Sequence, residues 1–370
     1  VRIASYNVES LFNRAKALDP HDWDAGRPAL EDYSRINKLF WEPVYTKSVK
    51  DEIVSLLKSL GLAKADDGGK YARLRQNRGH LLKRSKGKIE ITAGGRTDWI
   101  GWVELETEPI NELATQHTAM VLRDLDASIQ AVVEADNRIA LRDFSSIMMR
   151  DVGGTPFEHV MLIDGNDQRG IDVGLMTRSG YDITGVRSHT DDADTSGTIF
   201  SRDCPEYTVK TPSGDEVVVL VNHLKSKGYG VPTVSNARRQ EQAAQVAKIY
   251  RRLRKSGQRN VAVVGDFNDT PDSKPLAPLL DKTDLRDVSE HPAFVSDGRP
   301  GTYGTGTKGN KIDYLLLSPA LFKRVTNGGV FRKGVWGGKN GTVFEHYPTM
   351  TNEVEAASDH AAIFADLSAS

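Results

Sequence analysis

The sequence predicts an α/β protein, a mixed-sheet sandwich with helices around it. Short apolar runs rich in β-branched residues recur at 159–163, 172–177, 207–211, 217–222, 261–265, 312–317 and 361–366, and read as strands. Helical periodicity separates some of them, most clearly at about 235–256, where Ala243, Val246, Ala247, Ile249, Tyr250 and Leu253 share a face. The alternation lacks the strict strand–helix–strand rhythm of an all-parallel sheet, so a mixed sheet is expected.

Taken in order, residues 2–8 read as the first strand. Residues 13–45 read as irregular, with Pro20, Gly26, Pro28 and Pro43 as breakers. Thr46 or Ser48 caps an expected helix with Ile53, Leu56, Leu57 and Leu60 on one face, ending at Gly61. Residues 89–93 and 99–105 read as a hairpin around Gly94-Gly95. A helix near 110–125 leads into a strand at 128–133 that ends at Glu134, and a second helix at roughly 137–150 presents Leu141, Phe144, Ile147 and Met148. Ser213-Gly214-Asp215 is a hairpin turn, and the glycine-rich stretch 328–341 reads as a mobile surface loop.

Composition narrows the function classes. The chain has 370 residues, 38% hydrophobic and 27% charged, enough to bury a large core in one domain. A formal net charge of -1 gives no global field toward nucleic acid or membrane, so any such attraction is local. Cys204 is the only cysteine, which rules out an intrachain disulfide and a cysteine-based zinc site. No apolar run reaches the roughly 18 residues of a membrane span. A strand-like segment from residue 2 leaves no room for a signal peptide, so the expected location is the cytoplasm; a start at Val1 also fits an exported form whose signal has been removed. Nothing calls for an obligate protein partner.

The most informative stretch is Gly265-Asp266-Phe267-Asn268-Asp269-Thr270-Pro271, directly after Val261-Ala262-Val263-Val264. It reads as a buried strand opening into a loop, with Asp266 and Asn268 two residues apart and able to share one side of a pocket mouth. Four other segments accompany it. The chain opens with Arg2-Ile3-Ala4-Ser5-Tyr6-Asn7-Val8-Glu9-Ser10-Leu11-Phe12; Val221-Asn222-His223-Leu224-Lys225-Ser226-Lys227-Gly228 lies near the middle; Ile312-Asp313-Tyr314 and Ser358-Asp359-His360-Ala361 lie near the end. In this order and spacing the segments resemble the endonuclease/exonuclease/phosphatase superfamily. Its members include pancreatic-type deoxyribonuclease, exonuclease III and the apurinic endonucleases, and also inositol-phosphate phosphatases and sphingomyelinases. The resemblance covers residues 1–12 and about 128–367. It implies a four-layer α/β/β/α sandwich of two mixed β-sheets flanked by helices, forming one domain over 1–370 with a helical and hairpin insertion at 14–110 after the first strand.

Phosphodiester hydrolysis needs a metal at the phosphate, a base for water, an acid for the leaving oxygen and donors for the developing charge. Hard oxygen ligands select magnesium or manganese. By the resemblance, Glu134 is the principal ligand, although Val133 stands where the family pattern has a Gln. Asn7 orients a metal ligand or the phosphate, and Asp359 holds the metal or its water. His223 bonds a phosphate oxygen or protonates the leaving group. His360 is general base or phosphate stabiliser, with Asp313 fixing its tautomer in the manner of a triad without the serine. Asp266 activates or positions the water and Asn268 donates to the transition state; which of Asp266 and His360 takes the proton is left open. Lys225 and Lys227 are expected phosphate contacts. Arg169, in Gly165-Asn166-Asp167-Gln168-Arg169-Gly170-Ile171-Asp172-Val173, reaches a phosphate on the functional reading and belongs to a turn on the structural one.

The shared machinery does not name the substrate. Residues 70–88 hold eight positive charges and no acidic residue, beside Tyr71, and Trp99 and Trp102 follow as candidates for base stacking. This favours a magnesium- or manganese-dependent nuclease acting on DNA. The alternatives are a phosphatase or phosphodiesterase on a small phosphorylated metabolite or lipid headgroup, and a catalytically silent nucleic-acid-binding module. The intact set of Glu134, His223, Asp266, Asn268, Asp313, Asp359 and His360 argues against the silent module.

Overall fold

The structure is a computed structural model that describes all residues except 12–14, 19–22, 109–110, 168, 229–230 and 370, and the side chain of Trp23. Phe12, Pro20 and Gln168, and the expected insertion limits at 14 and 110, therefore lie outside the described residues. The chain divides into two compact units, Val1–Phe12 with Ile110–Ser370, and Asn13–Pro109.

The first unit is the four-layer sandwich. Its seven-stranded sheet runs, edge to edge, Phe294–Val295, Val325–Phe331, Ala362–Leu367, Arg2–Asn7, Ile129–Ala135, Asp172–Thr177 and His159–Ile163. The six-stranded sheet runs Arg286–Asp287, Asp313–Leu317, Val261–Asp266, Glu216–His223, Glu206–Lys210 and Asp182–Arg187. Both are mixed: Arg2–Asn7 is parallel to Ile129–Ala135 and antiparallel to Ala362–Leu367, and Val261–Asp266 is parallel to Glu216–His223 and antiparallel to Asp313–Leu317. Alternation along each strand builds the layers. Val217, Val219, Val221, Ala262 and Val264 meet Ile3, Ile129, Ala131 and Val133 between the sheets. Val218, Leu220, Val261 and Val263 face outward onto Val246, Ala247 and Tyr250 of the helix Pro232–Lys255. On the opposite side, Tyr6, Val132 and Met176 pack on Ala119 and Leu122 of Glu112–Leu125 and on Leu141 and Phe144 of Arg138–Ser146.

The glycine-rich stretch is only in part a loop. Gly328 and Gly329 lie inside Val325–Phe331, paired with Ala362–Leu367 and Phe294–Val295. Gly328 is needed for close approach, since a Cβ there would meet Phe364 O at 3.0 Å and the Phe294 ring at 3.2 Å.

The second unit departs from its sequence reading twice. Residues Trp23–Phe40 form a helix despite Gly26 and Pro28. Leu30, Tyr33, Ile36 and Phe40 repeat at helical spacing and are buried, and burial of that face outweighs the local cost of the proline. Gly26 marks an approach to the backbone, because a Cβ would meet Ala17 O at 2.2 Å. The expected helix at 47–60 is present as Lys47–Ser59, with the Thr46 hydroxyl accepting from the Val49 N–H. The hairpin around Gly94-Gly95 does not form. Lys88–Ile91 instead pairs with Leu82–Ser85 across Lys86-Gly87, both at positive φ as a type I′ turn requires, and Ile100–Leu105 pairs with Ala72–Arg78. Trp99 is 1% exposed, packs edge-on against Phe40 and donates to the Tyr45 hydroxyl at 2.9 Å, so it belongs to the core and is unavailable for base stacking. Among the described residues, no helix is long and apolar enough to cross a membrane.

Candidate active site

Strand direction gathers the motif residues. Parallel strands place Asn7, Glu134, His223 and Asp266 at or near their C-terminal ends. Asp313 begins an antiparallel strand and His360 precedes another, so both arrive at the same rim. The register sets His223 beside Asp266, and Asp266 beside Asp313. Gly265 permits this convergence: it has φ +127°, and a Cβ would meet Asn222 O at 1.9 Å.

Four of the polar residues, Glu9, Ser10, Glu134 and Asn268, have positive φ. Glu134 has φ 63° and sits at a bulge where the pairing of Ile129–Ala135 with Asp172–Thr177 shifts register. The bulge turns its carboxylate out of the strand alternation and toward the rim. Asn268 has φ 54°, and its N–H donates to Asp266 Oδ1 at 2.8 Å. Its side-chain amide donates to Leu224 O at 3.1 Å and Asp266 Oδ2 at 3.2 Å. Non-glycine residues held in the left-handed region cluster at functional sites.

The side chains form one continuous network. Asn7 Nδ2 donates to Glu134 Oε1 at 3.2 Å and Asp266 Oδ2 at 3.3 Å, while its Oδ1 accepts from the Glu9 N–H at 3.0 Å. That backbone donor fixes the amide orientation, so Asn7 presents nitrogen, not oxygen, to the two carboxylates. His223 Nε2 lies 3.5 Å from Glu134 Oε1 and 3.7 Å from Asp266 Oδ2. His360 Nδ1 is 2.8 Å from Asp313 Oδ2, and its Nε2 is 4.0 Å from Asp266 Oδ2 and 3.7 Å from Asp359 Oδ1. Because Asp313 also accepts from the Thr302 hydroxyl at 2.6 Å, its carboxylate is an acceptor and His360 Nδ1 carries the proton.

Residues 87–367 match the model of the Endonuclease/Exonuclease/phosphatase family. The chain belongs to this family. Among solved structures, it is similar to the mannosyl-6-phosphatase Bt3783 of Bacteroides thetaiotaomicron, at 17% identity and TM-score 0.51 over 69% of this chain and 91% of that one. An endonuclease/exonuclease/phosphatase family protein from the same organism gives 17% identity and TM-score 0.50 over 68% and 85%. At such identities the likeness is one of fold. No curated protein matches the chain.

The donor set is able to hold a divalent cation. Glu134, His223 and Asp266 bring one ligand atom each within 4.8 Å of one another, and so do Asp266, Asp313 and His360. The carboxylates crowd in a buried place. Burial, and next the charge of Asp313, push the Asp266 carboxyl well above the usual range. Excess buried negative charge of this kind fits a cation. Burial, then the charges of Arg202 and Arg169, hold His223 well below its ordinary pKa and therefore neutral. Burial opposes charge on His360 too, but Asp313 and Asp359 outweigh it and hold the imidazole well above its ordinary value.

The remaining sequence candidates lie around this network. Arg169 grips Asp167 through Nε at 2.9 Å and Nη2 at 2.6 Å, and Asp167 also accepts from the buried Arg202 at 3.2 Å. Lys227 is half exposed and pairs with Asp269. Lys225 is fixed through its backbone, its N–H donating to Gln242 Oε1 at 2.7 Å. The Asp359 N–H donates to Glu9 Oε2 at 3.0 Å. Several supporting residues were not singled out from sequence. Ser10 donates to Glu134 Oε2 at 3.3 Å, Thr302 holds Asp313, Ser358 ties the His360 N–H to the first strand, and Tyr303 packs edge-on to His360 at 5.0 Å. Ser10 and Ser358 stand inside the quoted motifs; nothing local marks Thr302 or Arg202.

Proposed function

We propose that the chain is a magnesium- or manganese-dependent phosphodiesterase, and that it is a nuclease cutting DNA by in-line attack of water. The observation that carries the reading is the cluster of Glu134, His223 and Asp266, whose ligand atoms lie within 4.8 Å of one another. Glu134 and Asp359 are the residues that would hold the cation, with the Asn7 amide orienting Glu134. A bound cation would supply neutralisation of the phosphate charge. Asp266 positions the water and takes its proton, its carboxylate held by the Asn7 amide and the Asn268 N–H. As water adds, the bond from phosphorus to the leaving oxygen breaks, and His360, kept cationic and oriented by Asp313, stabilises the developing charge and gives its Nε2 proton to that oxygen. His223, neutral and buried, donates to a phosphate oxygen, and Asn268 completes the donor set. Arg169, Lys225 and Lys227 are proposed substrate contacts.

What favours nucleic acid is the charge left over on 70–88. Arg73 and Arg75 share Glu104, and Arg84 pairs with Asp66, but Arg78, Lys83, Lys86 and Lys88 are exposed with no carboxylate in ion-pair range among the described residues. The test is nicking of supercoiled plasmid and release of acid-soluble nucleotide with magnesium or manganese, for wild type, Asp266→Ala and His360→Ala. Metal-dependent cutting lost in both variants supports the reading. A folded, metal-loaded wild type that leaves DNA intact overturns it in favour of a phosphatase acting on a small phosphorylated molecule.

A further inference from the structure

The unit Asn13–Pro109 has an exposed face that the catalytic network does not use. In the ribbon of Ala72–Arg78 and Ile100–Leu105, Arg75 stands opposite Trp102 and Arg78 opposite Ile100. Opposed residues share a face, and the other face turns Leu74 and Val103 into the core. Trp102 is 41% exposed and Ile100 44%. Trp41, 65% exposed, joins them through one side chain. Arg96 lies over the Trp41 ring at 4.6 Å, and its Nη1 donates at 2.9 Å to the carbonyl of Gly101, between Ile100 and Trp102.

Exposed indoles held beside guanidiniums make a surface with two chemistries, flat apolar rings and fixed positive charge. We propose that this face binds single-stranded nucleic acid, with Trp41 and Trp102 stacking on bases and Arg78 and Arg96 set against phosphates, while Arg75 is held by Glu104 at 2.6 Å. Stacking needs an unpaired base, because a duplex keeps its base faces inside the stack. An apolar partner or a lipid interior would have to strip water from Arg78 and Arg96, whereas a phosphate backbone complements them. The adjoining hairpin Leu82–Ser85 and Lys88–Ile91 adds the exposed Lys83, Lys86 and Lys88. Stacking tolerates any base, so this face selects strand state, not sequence. The inference deepens the nuclease reading and rests on it only in taking the bound strand to be substrate.

The experiment is fluorescence anisotropy of a labelled oligothymidylate, and of a duplex of equal length, with the full chain in EDTA. Wild type is compared with Trp41→Ala, Trp102→Ala, Trp102→Phe and Arg78→Glu, each checked for a wild-type melting curve. The single strand is expected to bind more tightly than the duplex. Each Trp→Ala is expected to weaken it roughly tenfold while Trp102→Phe keeps most of the affinity, and Arg78→Glu is expected to flatten the salt dependence. Equal affinity of wild type and both alanine variants, no binding at low salt, or a duplex preference overturns the inference. The two readings fail separately. Tryptophan-dependent binding without cutting of any nucleic acid sinks the nuclease and leaves this face standing. DNA cutting with tryptophan-independent binding sinks this face and leaves the nuclease.

Discussion

The two units of the chain treat charge in opposite ways. At the sandwich rim, Asp266 and Asp313 are 2% exposed and stand next to each other on paired strands, with Glu134 close by on a strained backbone. On the ribbon of the other unit, Arg73 and Arg75 lie along a half-exposed face and reach across the strand pair to Glu104. The first arrangement holds like charges together out of water, against their electrostatic preference. The second meets each charge with an opposite partner or with solvent. Charge held at a cost marks the chemistry, and charge at ease marks a surface.

The largest expected effect breaks the first arrangement. Asp266→Ala and His360→Ala should each lower metal-dependent hydrolysis by about a thousandfold or more. Stability should move the other way for Asp266. Its folded pKa is raised, so the folded state holds that proton more tightly than the unfolded state does. Its contribution is favourable at low pH and is lost as pH rises from about 4 toward neutrality. Asp266→Asn should therefore melt several degrees higher than wild type at pH 7 in EDTA, and the gap should close near pH 4. Added magnesium or manganese should raise the wild-type melting temperature and narrow the same gap. A variant that melts lower than wild type at pH 7 in EDTA would mean that the carboxylate is not crowded.

The next effect concerns the ion cluster beside His223. Asp167 is held well below the usual carboxylate range: burial opposes its charge, but Arg169 and Arg202 outweigh it. Asp167→Ala strands the buried Arg202 guanidinium and should cost about 3–5 kcal/mol in urea unfolding. The double variant Asp167→Leu with Arg202→Met should recover part of that loss, because it leaves less uncompensated charge in the interior. A loss below about 1 kcal/mol for Asp167→Ala would show that water reaches the cluster.

The same contrast explains what was legible in the sequence. Asn7, His223, Asp266, Asp313 and His360 were readable because each ends or opens an apolar run, and the motif around it is local. The side-chain turn of Glu134 was not readable, since a bulge depends on the partner strand Asp172–Thr177. Thr302 and Arg202 were missed because their partners Asp313 and Asp167 lie 11 and 35 residues away. In the other unit, Gly26 and Pro28 were read as breakers when the buried stripe from Leu30 to Phe40 was the stronger signal. The hairpin was placed on Gly94-Gly95 because two glycines look like a turn. Gly95 is instead there for contact: a Cβ would meet Pro43 O at 2.0 Å. Glycine marks close approach as readily as it marks a turn, and sequence alone does not separate the two.

The smallest expected effect sharpens the second arrangement. Glu104 is one carboxylate shared by two guanidiniums, Arg73 at 2.8 Å and Arg75 at 2.6 Å, and its side chain is 37% exposed. Exposed pairs contribute little, so Glu104→Gln should change stability by less than about 1 kcal/mol. Its effect on binding should have the opposite sign. Removing the shared anion frees Arg75, which stands opposite Trp102, while Arg73 keeps Glu106 at 3.7 Å, so a single strand should bind more tightly, with a steeper dependence on salt. Asp98→Asn is the control, since that carboxylate accepts the Gly94 N–H at 2.6 Å and makes no ion pair with either arginine. Tighter binding by Glu104→Gln alone would show that the ribbon's charge is tuned at this one position; equal gains in both variants would reduce the effect to net charge.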